Sequence, residues 1–367
     1  MKVLAISSYS GLGGAELSLA AFVEHRPADV AIEALLLEDG PLAGTLAGLG
    51  VATRMATGMF GPPDLPRLVR FSRSLDRLLR TQRPDVVWAK GQKAALLAAP
   101  ACRRRGVPVV WHKVDFSYDR QLALPLALAC NGVIGVSRSV LRALGPLRGR
   151  ALGVAGIPMR LPGELMSHPD RERPVIGSLA RLVPYKGLHH IIGAAALLRD
   201  EFPELRVELA GGEVREYPGY RDELLALAKQ HGMADRVELS GFVDPAQMLE
   251  RLSVLVSATY RDEQGFGFEG LPGAALEASW AGVPVVAAEA GGTQEAVLDG
   301  RTGTIVEGPE AEYLAPAIAA YLRDPELAAR TGAAGREYAR SRCDPVAASE
   351  RLFSMLGRAA GLTNGVR

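Results

Sequence analysis

An alternation of short apolar runs with amphipathic stretches, which pauses once and then begins again, constrains this chain more than any other feature. In the first half the apolar runs are Lys2–Ser7, Val30–Glu38, Val51–Ala56, Asp85–Ala89, Val107–His112 and Gly132–Val136. Helical periodicity separates several of them. It is clearest over Leu65–Gln82, where Leu68, Phe71, Leu75, Leu78 and Leu79 form one stripe. Strands that are apolar throughout, alternating with helices, belong to a parallel sheet covered on both faces. The pattern stops at GIPMRLPGELMSHPDRERP, residues 156–174, whose prolines and charges lack any period and read as a linker. It resumes with strands at Val175–Ala180, Leu205–Ala210, Val237–Ser240, Val254–Ser257, Val283–Ala288 and Gly303–Val306. Helical patterns at Leu188–Asp200, Tyr220–His231, Ala311–Leu322, Glu326–Arg340 and Val346–Ala359 accompany them.

These runs predict an α/β protein of two doubly wound, Rossmann-like domains facing a central cleft. The expected bounds are 1–160 and 161–345, with a final helix in 346–367 crossing back to the first domain. A length of 367 residues is enough for two cores. No apolar run reaches a membrane span, the start MKVLAISSYSGLGG lacks the parts of a signal peptide, and Cys102, Cys130 and Cys343 are too scattered for a disulfide framework or zinc site. A cytoplasmic protein is expected. Charge is divided unevenly: through Arg160 there are 21 Lys and Arg against 11 Asp and Glu, and beyond it 21 against 30. Much of the basic excess lies between Arg67 and Arg105. Such asymmetry suggests different partners for the two halves.

In sheets of this type ligands sit beyond the carboxyl ends of the strands, and the motifs fall there. SGLGGAE follows the first strand, and its glycines would let backbone amides approach an anion at a helix N-terminus. A dinucleotide fingerprint needs a third glycine where Glu16 stands, and no P-loop is present. The plainer alternative is a tight turn. VVWHKVD sets His112 and Asp115 at the end of an apolar strand, where an imidazole can hydrogen-bond substrate; a lone histidine is otherwise usually structural. GSLARLVPYKG carries Arg181 and Lys186, two cations five residues apart before a helix, which suit a diphosphate unless they merely solvate the surface. In EGLPGAALE, Glu269 and Glu277 read as one helix, Glu269 at its N-terminus meeting a sugar and Glu277 taking ribose hydroxyls. The apolar residues around them argue against a solvated pair.

Taken in order, GLGGAE, VVWHKVD, VIGVSRSV, GSLARLVPYKG, LSGFVD, EGLPGAALEASWAGVPVV and GGTQEAV resemble a retaining glycosyltransferase of family 4, with the GT-B fold. The resemblance runs from Met1 to about Val306. It implies a nucleotide-sugar donor, held mainly by the C-terminal domain, and a hydroxyl-bearing acceptor held mainly by the N-terminal one. By the same resemblance Arg181 and Lys186 hold the donor diphosphate, Glu277 the ribose, and Glu269 with the amides of Gly270 and Leu271 the sugar. The base lies near Phe242 and Val243. Gly13 and Gly14 close on the phosphate, and His112 contacts the donor sugar near the reacting carbon. Asp115 is the candidate for orienting acceptor. Uridine donors are the family default and guanosine second. The implied mechanism is front-face, with retention, and needs no metal and no cofactor. Two departures bear on the sugar: Pro272 replaces the usual glycine and removes an amide donor, and TYRDEQGFGF is longer than the commonest form.

Three other readings use parts of the same pattern. A nucleotide-sugar epimerase would share the donor pocket and need no acceptor. An NAD-dependent dehydrogenase is weakened by the missing glycine. A sugar-binding protein would bind nucleotide without turnover. No nucleic-acid partner is expected. The basic stretch carries Arg70, Arg73, Arg77 and Arg80 beside the apolar stripe. Either it solvates a surface helix or it meets an anionic surface, acidic lipid at the inner face of a membrane or a phosphate-bearing acceptor.

Overall fold

The computed structural model describes every residue except Leu12, 57–63, Gln264, Phe266 and 363–367. The chain divides into two compact units, one formed by Met1–Arg160 with the segment from Cys343 onward, the other by Leu161–Arg342. The change of unit near the C-terminus therefore falls at Arg342/Cys343, a few residues before the expected 345/346.

The first unit is built on seven parallel strands: β1 Lys2–Ser7, β2 Ala31–Leu36, β3 Ala52–Met55, β4 Val86–Lys90, β5 Val109–Lys113, β6 Gly132–Gly135 and β7 Ala151–Val154. Their order, β3-β2-β1-β4-β5-β6-β7, reverses direction between β1 and β4. Consecutive residues on a strand point to opposite faces, so this sheet feeds two cores. Leu4, Ile6, Val87, Val109 and Trp111 pack on one side with Phe71, Leu75, Leu78 and Leu79 from the helix Leu65–Gln82. Val3, Ala5, Trp88, Val110 and Ile134 pack on the other with Leu19, Phe22 and Val23. That second core also takes Leu352, Phe353, Met355 and Leu356 from the final helix, Pro345–Ala359, which thus belongs to the first unit.

Strand β7 has no counterpart in the sequence expectations. Its four residues, ALGV, lack β-branched content until Val154, and Gly153 adopts φ 147°. A side chain at Gly153 would meet Met355 Sδ at 2.8 Å, so pairing with β6 and the close approach of the final helix hold the strand.

The second unit has six parallel strands: β8 Val175–Leu179, β9 Arg206–Ala210, β10 Val237–Gly241, β11 Val254–Ser257, β12 Val285–Ala288 and β13 Gly303–Val306. Their order, β10-β9-β8-β11-β12-β13, reverses between β8 and β11. Ile176, Val207, Leu209, Val254 and Val256 form its core with Ile191, Ile192, Leu314 and Ile318. Each unit is thus doubly wound with one topological switch point. Among the described residues no helix is long and apolar enough to cross a membrane.

Candidate functional site

In the second unit the loops after β8, β11 and β12 converge, and these strands are neighbours at the switch point. The backbone N–H of Tyr260 donates to Tyr185 O at 2.9 Å, tying the loop after β11 to the one after β8. Gly187, at φ 66°, passes so near that an added Cβ would lie 2.1 Å from Ala258 O. On the other side the N–H of Gly292 donates to Glu269 O at 2.7 Å, and a side chain at Gly292 would strike Gly270 O at 2.2 Å. Backbone contact this close is what the glycines of YKG and AGGT supply.

These contacts bring together side chains that are far apart in sequence. Lys186, closing the short 3-10 turn Pro184–Lys186, is ion-paired with Glu269, and Thr259 Oγ1 donates to the same carboxylate oxygen at 3.1 Å. Both partners of the pair are about one-fifth exposed, at 19% and 20%. Burial pushes the Glu269 carboxyl up, but Lys186, Thr259 and Arg181 outweigh it and hold the group below its ordinary range. The exposed Arg181 donates from Nη2 to Tyr185 Oη at 3.1 Å. Arg181 and Lys186 are the cations of this cluster, and Glu269, Asp262 and Glu216 act on Tyr185 within it.

One expectation needs correction. Glu269 is not on the helix of Glu277: it forms an isolated parallel bridge with Gly291, and the helix spans Gly273–Trp280 with Pro272 as its N-cap. Proline confines the residue before it to extended backbone, so the helix cannot run back through Leu271 to Glu269. Glu277 lies within the helix, partly buried. The segment TYRDEQGFGF falls partly outside the described residues, at Gln264 and Phe266. Further along the same sheet edge, Phe242 follows β10 with 77% of its surface exposed. Its ring lies over Gly212, where a Cβ would approach it to 2.4 Å, and Gly212 O accepts from Leu182 N at 2.9 Å. Val243 is half-buried beside it.

In the first unit Gly13 caps the helix Gly14–Glu24 with extended backbone, while Glu16 folds back so that a Cβ on Gly13 would lie 2.6 Å from its carboxylate. Asp115 is tied to the helix Gln92–Arg105 and to its own loop: Oδ1 accepts from Gln92 Nε2 at 2.6 Å and from Ser117 N at 2.9 Å. Lys113, fully buried, donates to Asp119 Oδ1 at 2.6 Å and to the Asp115 carbonyl.

His112 is 1% exposed, on the face of β5 that packs against Phe22 and Trp88. Its Nδ1 accepts from Trp88 Nε1 at 3.2 Å, whereas Nε2 has no hydrogen-bond partner among the described residues. Burial, and then the charge of Lys90, hold the imidazole well below its ordinary pKa. Lys90 is itself buried and donates to Ser18 Oγ at 2.9 Å; burial pushes its ammonium down to about 8, opposed by Glu16. Lys90, Trp88 and Thr259 did not stand out in the sequence. A charged residue ending an apolar strand was the available signal for Lys90.

Two family models cover most of the chain: the 4-like glycosyl transferase domain over residues 13–144 and glycosyl transferases group 1 over 167–338. A GDP-mannose-dependent alpha-(1-6)-phosphatidylinositol monomannoside mannosyltransferase of Mycolicibacterium smegmatis is 37% identical over 172 residues, 46% of this chain and 44% of that protein. A D-inositol 3-phosphate glycosyltransferase of Streptomyces scabiei is 36% identical over 168 residues, 44% of this chain and 36% of the relative. The matched stretch thus spans less than half the length of either. The crystal structure of Anabaena HepE in complex with UDP and glucose superposes with a TM-score of 0.81 at 23% identity, covering 97% of this chain and 99% of that one.

Proposed function

The chain belongs to the glycosyl transferases group 1 family and has its GT-B fold, and from that premise we propose that it transfers a sugar from a nucleoside diphosphate donor to an acceptor hydroxyl. The observation that carries this reading is an order of chemical groups. Along the carboxyl edge of the second sheet an exposed phenyl ring, Phe242, comes first, after β10. Arg181 and Lys186 come next, after β8, and the Glu269 carboxylate follows beyond β11. Base, diphosphate and sugar follow one another in the same order in the donor.

In this reading the base rests at Phe242 and Val243, Arg181 and Lys186 meet the diphosphate, and Glu277 takes the ribose. Glu269 with the amides of Gly270 and Leu271 receives sugar hydroxyls, Gly13 and Gly14 offer amides to phosphate, and Asp115 orients acceptor. Departure of the nucleoside diphosphate leaves positive charge on the sugar and negative charge on the phosphate. Arg181, and Lys186 once it leaves Glu269 for the phosphate, stabilise the latter. His112 donates from Nε2 to a sugar oxygen, a contact that requires this buried nitrogen to be uncovered when donor binds. The leaving phosphate takes the acceptor's proton, the new bond forms on the face just vacated, and configuration is retained without a metal. A guanosine donor has support from the 37% identical mannosyltransferase; the uridine expectation rests on the family default. A glycan, glycolipid or inositol-type hydroxyl is the acceptor class.

A panel of UDP- and GDP-sugars, each with and without acceptor alcohols and with excess chelator, tests the reading. Acceptor-dependent release of nucleoside diphosphate and an anomeric proton of unchanged configuration in the product are expected. Donor isomerised without acceptor would identify an epimerase instead, and activity lost to chelator and restored by magnesium would overturn the metal-free step.

A further inference from the structure

We infer that Trp88 is a positioning residue that fixes His112 as the tautomer carrying its proton on Nε2. An indole N–H can only donate, so the ring nitrogen facing it at 3.2 Å must be an acceptor. With Nδ1 so occupied, a neutral imidazole has one remaining place for its proton. That place is Nε2, which is buried and has no partner among the described residues. A buried donor left open in this way is an incomplete hydrogen bond.

The surroundings hold the arrangement on three sides. Trp88 lies beside the imidazole, edge to edge, with ring centres 6.0 Å and planes 27° apart, and Phe22 meets it edge-on at 6.0 Å. Lys90 is the register partner of His112 across β4 and β5, so the two side chains share a face of the sheet. Its ammonium is turned to Ser18 and lies 5.8 Å from the Phe22 ring centre and 5.9 Å from that of Trp88. A second positive charge on the imidazole is disfavoured next to it, so the ring stays neutral and keeps one donor and one acceptor. A histidine buried only for packing needs no such division: either tautomer fills the same volume. The use made of Nε2–H rests on the proposed transfer of sugar, but the tautomer itself does not.

The full chain, with its six histidines labelled at the ring nitrogens with 15N, tests this by two-bond proton–nitrogen correlation. The His112 signals are those lost in His112→Gln. A pyrrole-type Nε2 and a pyridine-type Nδ1 are expected at neutral pH, as a single form. Trp88→Phe keeps the ring packing and removes the N–H. It is expected to replace the single form by a mixture or by Nδ1–H, and to lower kcat about tenfold or more at little-changed donor KM. A wild-type His112 protonated on Nδ1, or mixed, overturns the inference, even should Trp88→Phe fail to fold. So does a Trp88→Phe chain that keeps the Nε2–H form or full kcat. A single Nε2–H form in a chain that transfers no sugar would sink the proposed function and leave Trp88 as the residue that sets the tautomer.

Discussion

Lys186 and Glu269, separated by 83 residues, form an ion pair beside Thr259 in the second unit. The pair changes what each residue does before any ligand arrives. The ammonium that would meet a diphosphate is already neutralised by the carboxylate that would meet the sugar. On the proposed function, binding a donor would exchange one anion for another at Lys186 and free Glu269 to accept from hydroxyls.

That exchange makes the two residues separable in binding experiments. Lys186→Ala should weaken UDP or GDP by about 1.5–3 kcal/mol, the scale of a charged hydrogen bond. Glu269→Ala should bind the same nucleotide no more weakly than wild type, because its removal releases Lys186, yet turnover should fall. Glu277→Ala should weaken free nucleotide, since ribose is common to donor and product. Calorimetry on the three variants checks this; equal weakening by Glu269→Ala and Lys186→Ala would deny the exchange.

The same pair sets an acid dependence. The folded pKa of Glu269 is lowered, so its contribution to stability is complete above the ordinary carboxylate value of 4.5 and is lost as pH falls through the lowered one. Lys186→Met removes the larger of the two cationic influences and leaves only Thr259 and Arg181 against burial, which acts in the opposite direction. The wild type should thus melt higher than the variant at neutral pH, and the gap in Tm should shrink on acidification. A gap independent of pH would show that the pair contributes nothing through charge.

His112 calls for substitutions matched to its burial. At 1% exposure, replacement by alanine opens a cavity and would confuse folding with catalysis. His112→Phe fills the space without a donor and should lose most transfer, about a hundredfold in kcat, with donor KM little changed. His112→Gln offers an amide N–H at similar reach and should keep part of the rate. Steady-state kinetics that rank phenylalanine equal to glutamine would remove hydrogen-bond donation from its role.

How much of this was legible in the sequence depended on range. Strands such as Val254–Ser257 and Gly303–Val306 are apolar runs bounded by turns, so local pattern located them directly. Strand Ala151–Val154 carries no such pattern, because a partner strand and Met355 define it. Arg181, Lys186 and Glu269 could be singled out by residue type and position after strands. Their pairing could not, since it depends on glycines 187 and 292 allowing backbones to touch. The start of the helix before Glu277 was legible and was misplaced: Pro272 already marked the boundary. The Trp88–His112 bond had no local signal, because β4 and β5 meet only in the sheet.

The arginines of the helix Leu65–Gln82 carry the last prediction. Phe71, Leu75, Leu78 and Leu79 are spent in the core of the first unit, so this helix has little apolar surface to insert into lipid. Arg70, Arg73, Arg77 and Arg80 are exposed, and Arg103, Arg104 and Arg105 extend the basic surface from the adjoining helix Gln92–Arg105. Part of that charge is already answered: Asp76 is paired with Arg80 and Arg105, and Asp64 with Arg67. Attachment to an acidic bilayer would therefore be electrostatic, with each remaining arginine contributing on the order of 1 kcal/mol near the surface. Without an inserted apolar face nothing resists screening, and the Debye length shortens to about 3 Å at 1 M salt. Co-sedimentation with acidic vesicles, none with neutral ones, and full release by salt are the expected results. Arg70→Glu, Arg73→Glu and Arg77→Glu together should abolish it while leaving donor binding intact. Attachment that survives high salt would mean another, apolar element inserts; equal and negligible recovery on both vesicle types would assign these arginines to solvating the helix.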